Sequence, residues 1–234
     1  MLFAQNPDTF IRAIGPYGYI TNQLTKHDRV FDEAGSRFLA EIRRTPRTVD
    51  EAVHSLLEDY DASPDTLRRD FVEFLDYLVR HRFVTTGEDA AAVRASFPRF
   101  SYSLENPKTF NFDFTADTEG LPLAGTQERL DSWIRKHPYI FSFQMEVTSR
   151  CNERCVHCYI PHAGKTTDIE LSFALDVIDQ CADMGTIGIT LSGGEATLHP
   201  DLPRILEDAR KRDLSISLLS NLVHLPGELL AAVK

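Results

Sequence analysis

Cys151-Asn152-Glu153-Arg154-Cys155-Val156-His157-Cys158-Tyr159 is the stretch from which the chain's organisation is read. It holds three of the four cysteines, at i, i+4 and i+7. Three thiolates this close, on a short loop leading into a turn, point to one side and hold one metal centre. A [4Fe–4S] cube normally takes four Cys ligands, so three leave one iron open to something other than protein. Zinc stays an alternative, as a closed Cys₃His site made of the triplet with His157 or His162. A disulfide with a spare thiol is the weaker alternative, because nothing signals export to an oxidising compartment.

Working outward, an apolar segment, Tyr139 to Val147, precedes the triplet, and Leu191-Ser192-Gly193-Gly194-Glu195 follows about thirty residues later. From Tyr139 onward the pattern alternates. Strands are expected near 139–147, 187–191 and 214–219, and helices near 172–184, 202–211 and 226–233. Such alternation implies parallel strands joined by crossovers. Gly185 ends the first of these helices. Cys181 lies on that helix near the apolar line through Leu175 and Ile178, which makes it a core residue and not a fourth ligand.

The triplet with an aromatic after its last Cys, followed by Gly-Gly-Glu at the end of the next strand, resembles the radical S-adenosylmethionine (AdoMet) superfamily. The resemblance implies that Cys151, Cys155 and Cys158 each hold one iron and that AdoMet chelates the fourth through its amino and carboxylate groups. It implies an enzyme that takes hydrogen from a substrate carbon with a 5′-deoxyadenosyl radical, fed by an electron donor such as flavodoxin or ferredoxin. In that family Gly193 and Gly194 would let the backbone approach the methionine moiety, and Glu195 would accept from its ammonium. Tyr159 would offer its backbone to adenine. Ser220-Asn221 matches the polar pair at the end of the family's third strand. Leu222 stands where Gly usually follows, and Ala196 where Pro is frequent. No catalytic residue beyond the cluster ligands is indicated. The family barrel has about six strand–helix units, whereas this chain reaches Lys234 after about three. The expectation is therefore a partial (β/α)6 barrel: a truncated product, a fragment, or one part of a split enzyme completed by a C-terminal chain.

The first eighty-odd residues read differently. Two short strands flank Gly15-Pro16-Tyr17-Gly18, and a third is expected at Arg29-Val30-Phe31. Three amphipathic helices follow, the first over about 33–43. The second opens with the capping box Thr48-Val49-Asp50-Glu51, and the third starts at Ser63-Pro64 with Leu67, Phe71, Phe74, Leu75 and Leu78 on its buried side. A last strand is placed at 83–86. This is a small α+β, winged-helix-like unit. Arg68, Arg69, Arg80 and Arg82 are mixed with Asp65, Asp70, Glu73 and Asp76, a poor phosphate reader. The element order resembles the PqqD-like recognition domain of ribosomal-peptide maturases. That resemblance implies a leader peptide added as a strand along Arg29, Val30 and Phe31 and packed against the third helix at Arg68 and Phe71.

The expected organisation is 1–87 for recognition, 88–137 as a linker with a short helix carrying Trp133, and 138–234 for the first half of the barrel. An apolar content of 42% with 26% charged residues suits an ordinary globular protein, and the net charge of −10 disfavours nucleic acid. Arg204, Arg210, Lys211 and Arg212 read as a solvated helix face. No secretory signal or membrane-length apolar run appears, and free thiols suit a reducing cytosol. Two rival functions remain: a radical AdoMet enzyme acting on a small molecule with a structural front domain, and a non-catalytic peptide-binding module with structural zinc.

Overall fold

A computed structural model describes residues 1–25, 27–98, 124–160, 163, 166–223, 227 and 229. The chain divides into two compact units, Met1–His137 and Pro138–Lys234.

In the first unit β1 (Leu2–Gln5) lies between β5 (Arg47–Thr48) and β6 (Val84–Gly87), antiparallel to both. A second antiparallel sheet has the order β2 (Thr9–Ile14), β3 (Tyr17–Asn22), β4 (His27–Phe31). Gly15 turns the β2–β3 hairpin at φ 59°, a conformation open to glycine at little cost. The helices are α1 (Glu33–Leu39), α2 (Val49–Leu56) and α3 (Pro64–Arg80). Each start is capped by a side chain, Asp32, Thr48 and Ser63 respectively, and the Thr48–Glu51 box forms in both directions. The apolar stripe of α3 (Leu67, Phe71, Leu75, Leu78) is buried with Phe3, Ile20, Leu39, Leu56 and Phe83.

Three expectations need correction. The front unit contains two further strands, β1 and β5, so it is not three strands followed by three helices. The first helix ends at Leu39 and not Arg43. The chain turns there because Glu41 is buried as the acceptor of Arg37, Arg47 and Ser55. The Arg43 carbonyl is likewise taken by the Gln5 amide of β1 (2.8 Å). Among the described residues, the stretch after residue 87 holds two helices, α4 (Ala90–Ala95), with Val93 buried, and α5 (Ala124–Lys136). Trp133 of α5 covers Gly15, where a Cβ would meet its ring at 2.5 Å. The acidic run 113–120 lies outside the described residues.

The second unit is a parallel sheet, β7 (Ser142–Thr148), β8 (Gly188–Gly193), β9 (Ser215–Leu218), in that order. Between the strands run α6 (Leu171–Asp183) and α7 (Leu202–Lys211). Register aligns Phe143, Ile189 and Ile216, then Met145, Leu191 and Leu218. These rows pack with Ala174, Ile178, Ile205 and Ala209 of the helices. The alternate rows are Ser142, Gly188 and Ser215, then Gln144, Thr190 and Ser217, then Glu146 and Ser192. One face is thus apolar and the other wholly polar or glycine. Cys181 is buried on α6. Among the described residues the sheet is open and three-stranded, and most of the helix expected over 226–233 lies outside them. On α7, Arg204 and Lys211 pair with Glu207, while Arg212 pairs with Asp179 and Asp183, as a solvated face does. No described helix is long and apolar enough to cross a membrane.

Candidate functional site

The cysteine loop leaves the carboxyl end of β7, and its first residues are tightly tied. Thr148 Oγ1 donates to Asp168 Oδ1 (2.6 Å) and accepts from the Arg150 amide (3.0 Å). The Arg150 guanidinium grips both Asp168 oxygens (2.9 Å each) and donates to the Leu198 carbonyl (2.6 Å). Burial pushes the Asp168 carboxyl up, but the hydrogen bonds from Arg150 and Thr148 outweigh it and hold the group below its usual range.

Beyond this anchor, Cys151 and Cys158 are half-buried and Cys155 is exposed, all three as free thiols. The Glu153 amide points at Cys151 Sγ (3.4 Å), and the Cys158 amide closes a turn onto the Cys155 carbonyl (3.2 Å). Among the described residues no three His, Cys, Asp or Glu side chains converge on one ion. His157 is exposed, and His162 lies outside the described residues.

The Gly-Gly-Glu run packs on the loop's base. The Gly194 amide donates to the Thr148 carbonyl and the Glu195 amide to the Arg150 carbonyl, both at 2.8 Å. A Cβ on Gly193, whose φ is 144°, would strike the Thr148 carbonyl oxygen, and one on Gly194 would sit 2.5 Å from that of Ser149. The close approach that both glycines permit here is therefore to the chain's own backbone.

Glu195 is 2% exposed. Its Oε1 accepts from the Thr197 amide (3.1 Å), Thr197 Oγ1 (2.6 Å) and Ser220 Oγ (2.7 Å), and its Oε2 from the Asn221 amide (2.7 Å). Burial raises its pKa, but these donors prevail and hold it below the usual value. Asn221 Nδ2 in turn donates to Asn152 Oδ1 (2.8 Å), joining the end of β9 to the cysteine loop. Leu222 adopts φ 57°, a left-handed conformation in keeping with the glycine expected at that place. Tyr159 is exposed, and its hydroxyl donates to Glu146 Oε1 (2.6 Å). That hydrogen bond raises its pKa, with smaller contributions from burial and charge.

Cys151, Cys155, Cys158, Tyr159, Gly193, Gly194, Glu195, Ser220 and Asn221 thus gather at the carboxyl ends of three parallel strands, where ligands of open α/β sheets bind. Arg150, Asn152, Asp168 and Glu146 were missed by the sequence reading. The alternation Ser142, Gln144, Glu146 inside an apolar segment was the available signal for the last.

On the front unit, β4 is hydrogen-bonded to β3 alone among the described strands. Arg29 Nε donates to Tyr77 Oη (2.8 Å), and Phe31 packs edge-on against Phe74 and Tyr77. Phe71 and Arg68 stand differently on α3. Phe71 is 0% exposed, because its helical stripe faces the core, and Arg68 is turned to Asp50 of α2.

Residues 145–234 match the Radical SAM superfamily, and residues 28–84 match Coenzyme PQQ synthesis protein D (PqqD). The two matches fall on separate parts of the chain, the PqqD match in the first unit and the radical SAM match in the second. The radical SAM region is 32% identical over 93 residues to GTP 3′,8-cyclase of Haemophilus influenzae (strain 86-028NP), an alignment covering 38% of this chain and 27% of that protein. It is 35% identical over 79 residues to the antilisterial bacteriocin subtilosin biosynthesis protein AlbA of Bacillus subtilis (strain 168), covering 32% of this chain and 17% of AlbA. The fold is similar to that of Streptococcus suis SuiB bound to precursor peptide SuiA, with TM-score 0.50 and 13% identity over 98% of this chain and 45% of SuiB. The chain thus spans less than a third of the length of these curated relatives. The radical SAM family implies a [4Fe–4S] cluster and AdoMet. The donor set of this domain, three free thiols on one loop with an amide aimed at the first, fits that cluster.

Proposed function

We propose that this chain is the cluster-bearing portion of a radical AdoMet enzyme that modifies a ribosomally made precursor peptide. Residues 1–87 recognise the leader, 88–137 link, and 138–234 form the first half of a (β/α)6 barrel, which a complementary C-terminal segment or chain would complete. The observation that carries this reading is the joining of a PqqD domain to a cysteine triplet at the carboxyl end of a parallel strand.

Cys151, Cys155 and Cys158 would hold three irons. When bound, the cluster and AdoMet supply hydrogen abstraction from a substrate carbon by a 5′-deoxyadenosyl radical, given an electron from a flavodoxin or ferredoxin. The chain's own part is positioning. Glu195 sets Ser220 and Asn221, and through Asn152 the cysteine loop. Gly193, Gly194 and the backbone of Tyr159 shape the same rim. In the front domain the edge of β4 that no described strand pairs, with Arg29, Val30 and Phe31, receives the leader as an added strand. Tyr77 and Phe74 then take the place assigned to Phe71 and Arg68. Helix α5 also packs against β4, so an arriving strand meets that helix. A reducing cytosol suits the thiols.

The test has two arms. Anaerobic reconstitution should load iron and sulfide on the wild type and on Cys181→Ala but not on Cys155→Ala. Zinc alone would overturn the reading, and so would a cluster that survives the Cys155 change. Titration with the leader peptide of the precursor encoded beside this gene, followed by the fluorescence of Trp133, should saturate. No saturable binding would favour a small-molecule substrate, as the likeness to a GTP cyclase suggests.

A further inference from the structure

Strand β4 is buried from two sides. Successive residues of a strand face opposite ways. Phe31 points into the core against Phe74 and Tyr77 of α3, and Arg29, on the same side, donates to Tyr77 Oη. Val30 points the other way, as does Ile14, which the register places on that side through Tyr17 and Tyr19. Val30 is 3% and Ile14 1% exposed, although neither belongs to the core that Phe31 enters. The helix that covers this outer side is α5. It packs on β4, its Trp133 lies over Gly15 at the β2–β3 turn, and its Leu130 is buried. A helix with its side chains is about 10–12 Å across, whereas neighbouring strands lie only about 4.8 Å apart. A helix seated on an edge strand therefore overhangs the place where a further strand would add. Beside β4 that place is vacant among the described strands. Trp133 and Ile134 are each half-buried, so α5 has apolar surface left to offer.

We infer that α5 is a second wall of the peptide site, with Trp133 and Ile134 its specificity-determining residues. A strand added along β4 then has α3 on one side and α5 on the other, so side chains of both parities are read. The class of ligand follows from the walls. A strand with one face in water alternates apolar and polar residues, whereas one covered on both faces is a continuous apolar run. The partner is thus an extended peptide segment of consecutive β-branched or aromatic residues, about as long as the five residues of β4. This rests on the leader-recognition reading of the front domain. It adds to that reading a helix beyond the PqqD match, which ends at residue 84.

The experiment titrates the purified chain with the leader peptide of the neighbouring precursor and with leaders carrying single Ala replacements. On the wild type, replacements at adjacent positions of the bound segment should each weaken binding about fivefold. Ile134→Ser should bind the unaltered leader about tenfold more weakly and should make leader positions of one parity insensitive to Ala. Urea unfolding followed at Trp133 checks that this variant is folded, and the scan on the wild type stands without it. Sensitivity confined to alternate leader positions on the wild type would overturn the inference. So would an affinity of folded Ile134→Ser that is unchanged or tighter. Either result removes α5 from the site and leaves leader recognition along β4 intact, whereas no saturable binding by the wild type overturns both.

Discussion

Two three-stranded sheets in this chain use the same number of strands for opposite ends. In β2–β4, an antiparallel sheet, one side supplies Ile20 and Phe31 to a core, and several charged groups of its unit are held by neighbours: Glu41 by two arginines, Arg68 by Asp50, Arg29 by Tyr77. In the parallel β7–β9 sheet the helix-covered side is equally apolar, but the other side offers polar groups that the described chain does not use up. A face that carries spare acceptors beside a reactive loop is a place for something else.

The comparison breaks most visibly where packing is densest. Phe71→Ala should cost about 3–5 kcal/mol of stability in the front unit, read by urea unfolding followed at Trp133, the chain's lone tryptophan. Amide exchange in β7 and β8 should be unaltered by that change. Next in size, Gly193→Ala should cost the second unit about 3 kcal/mol, since it adds a collision with Thr148 to an unfavourable φ. Exchange in β7–β8 should rise while Trp133 fluorescence stays put. Glu195→Gln should cost about 2 kcal/mol, because an amide offers donors where the site presents only donors.

The same carboxylate sets a pH dependence. A carboxyl depressed below its unfolded value of about 4.5 contributes stability above that pH, and loses it as pH falls through the folded value. Asp168 acts in the same direction from its own reference of 3.8. Acid should therefore open the Gly-Gly-Glu corner early, as exchange at Asn221 would report, and Glu195→Gln should flatten that response. The smallest effect has the opposite sign. Leu222→Gly should stabilise by about 1 kcal/mol by relieving a left-handed backbone, measured by chemical unfolding.

What was legible in the sequence was mostly local. The Thr48–Glu51 box, the Ser63-Pro64 start and the α3 stripe each depend on residues within a turn or two. The alternation of β7, α6, β8 and α7 was read from periodicity. Strands β1 and β5 escaped because each is short and is defined by partners far along the chain, such as Leu2 opposite Gly87. The triplet and the Gly-Gly-Glu run were visible as motifs, but not what they touch. Glu195 meets Asn221, and Asn152 meets Asn221, across separations that no local pattern encodes. Phe71 was assigned to a surface although its own stripe marked it as interior.

The pairing of β1 with β6 has a consequence for biosynthesis. Leu2 to Gln5 are translated well before their partners, Val84 to Gly87, which arrive only after α1, α2 and α3 have been made. That segment, with Phe3 bound for the interior, has only the two residues of β5 to pair with until β6 is made. Closure of the front domain is then a late, long-range event. Nascent chains stalled before residue 84 should accordingly remain protease-sensitive at their amino end.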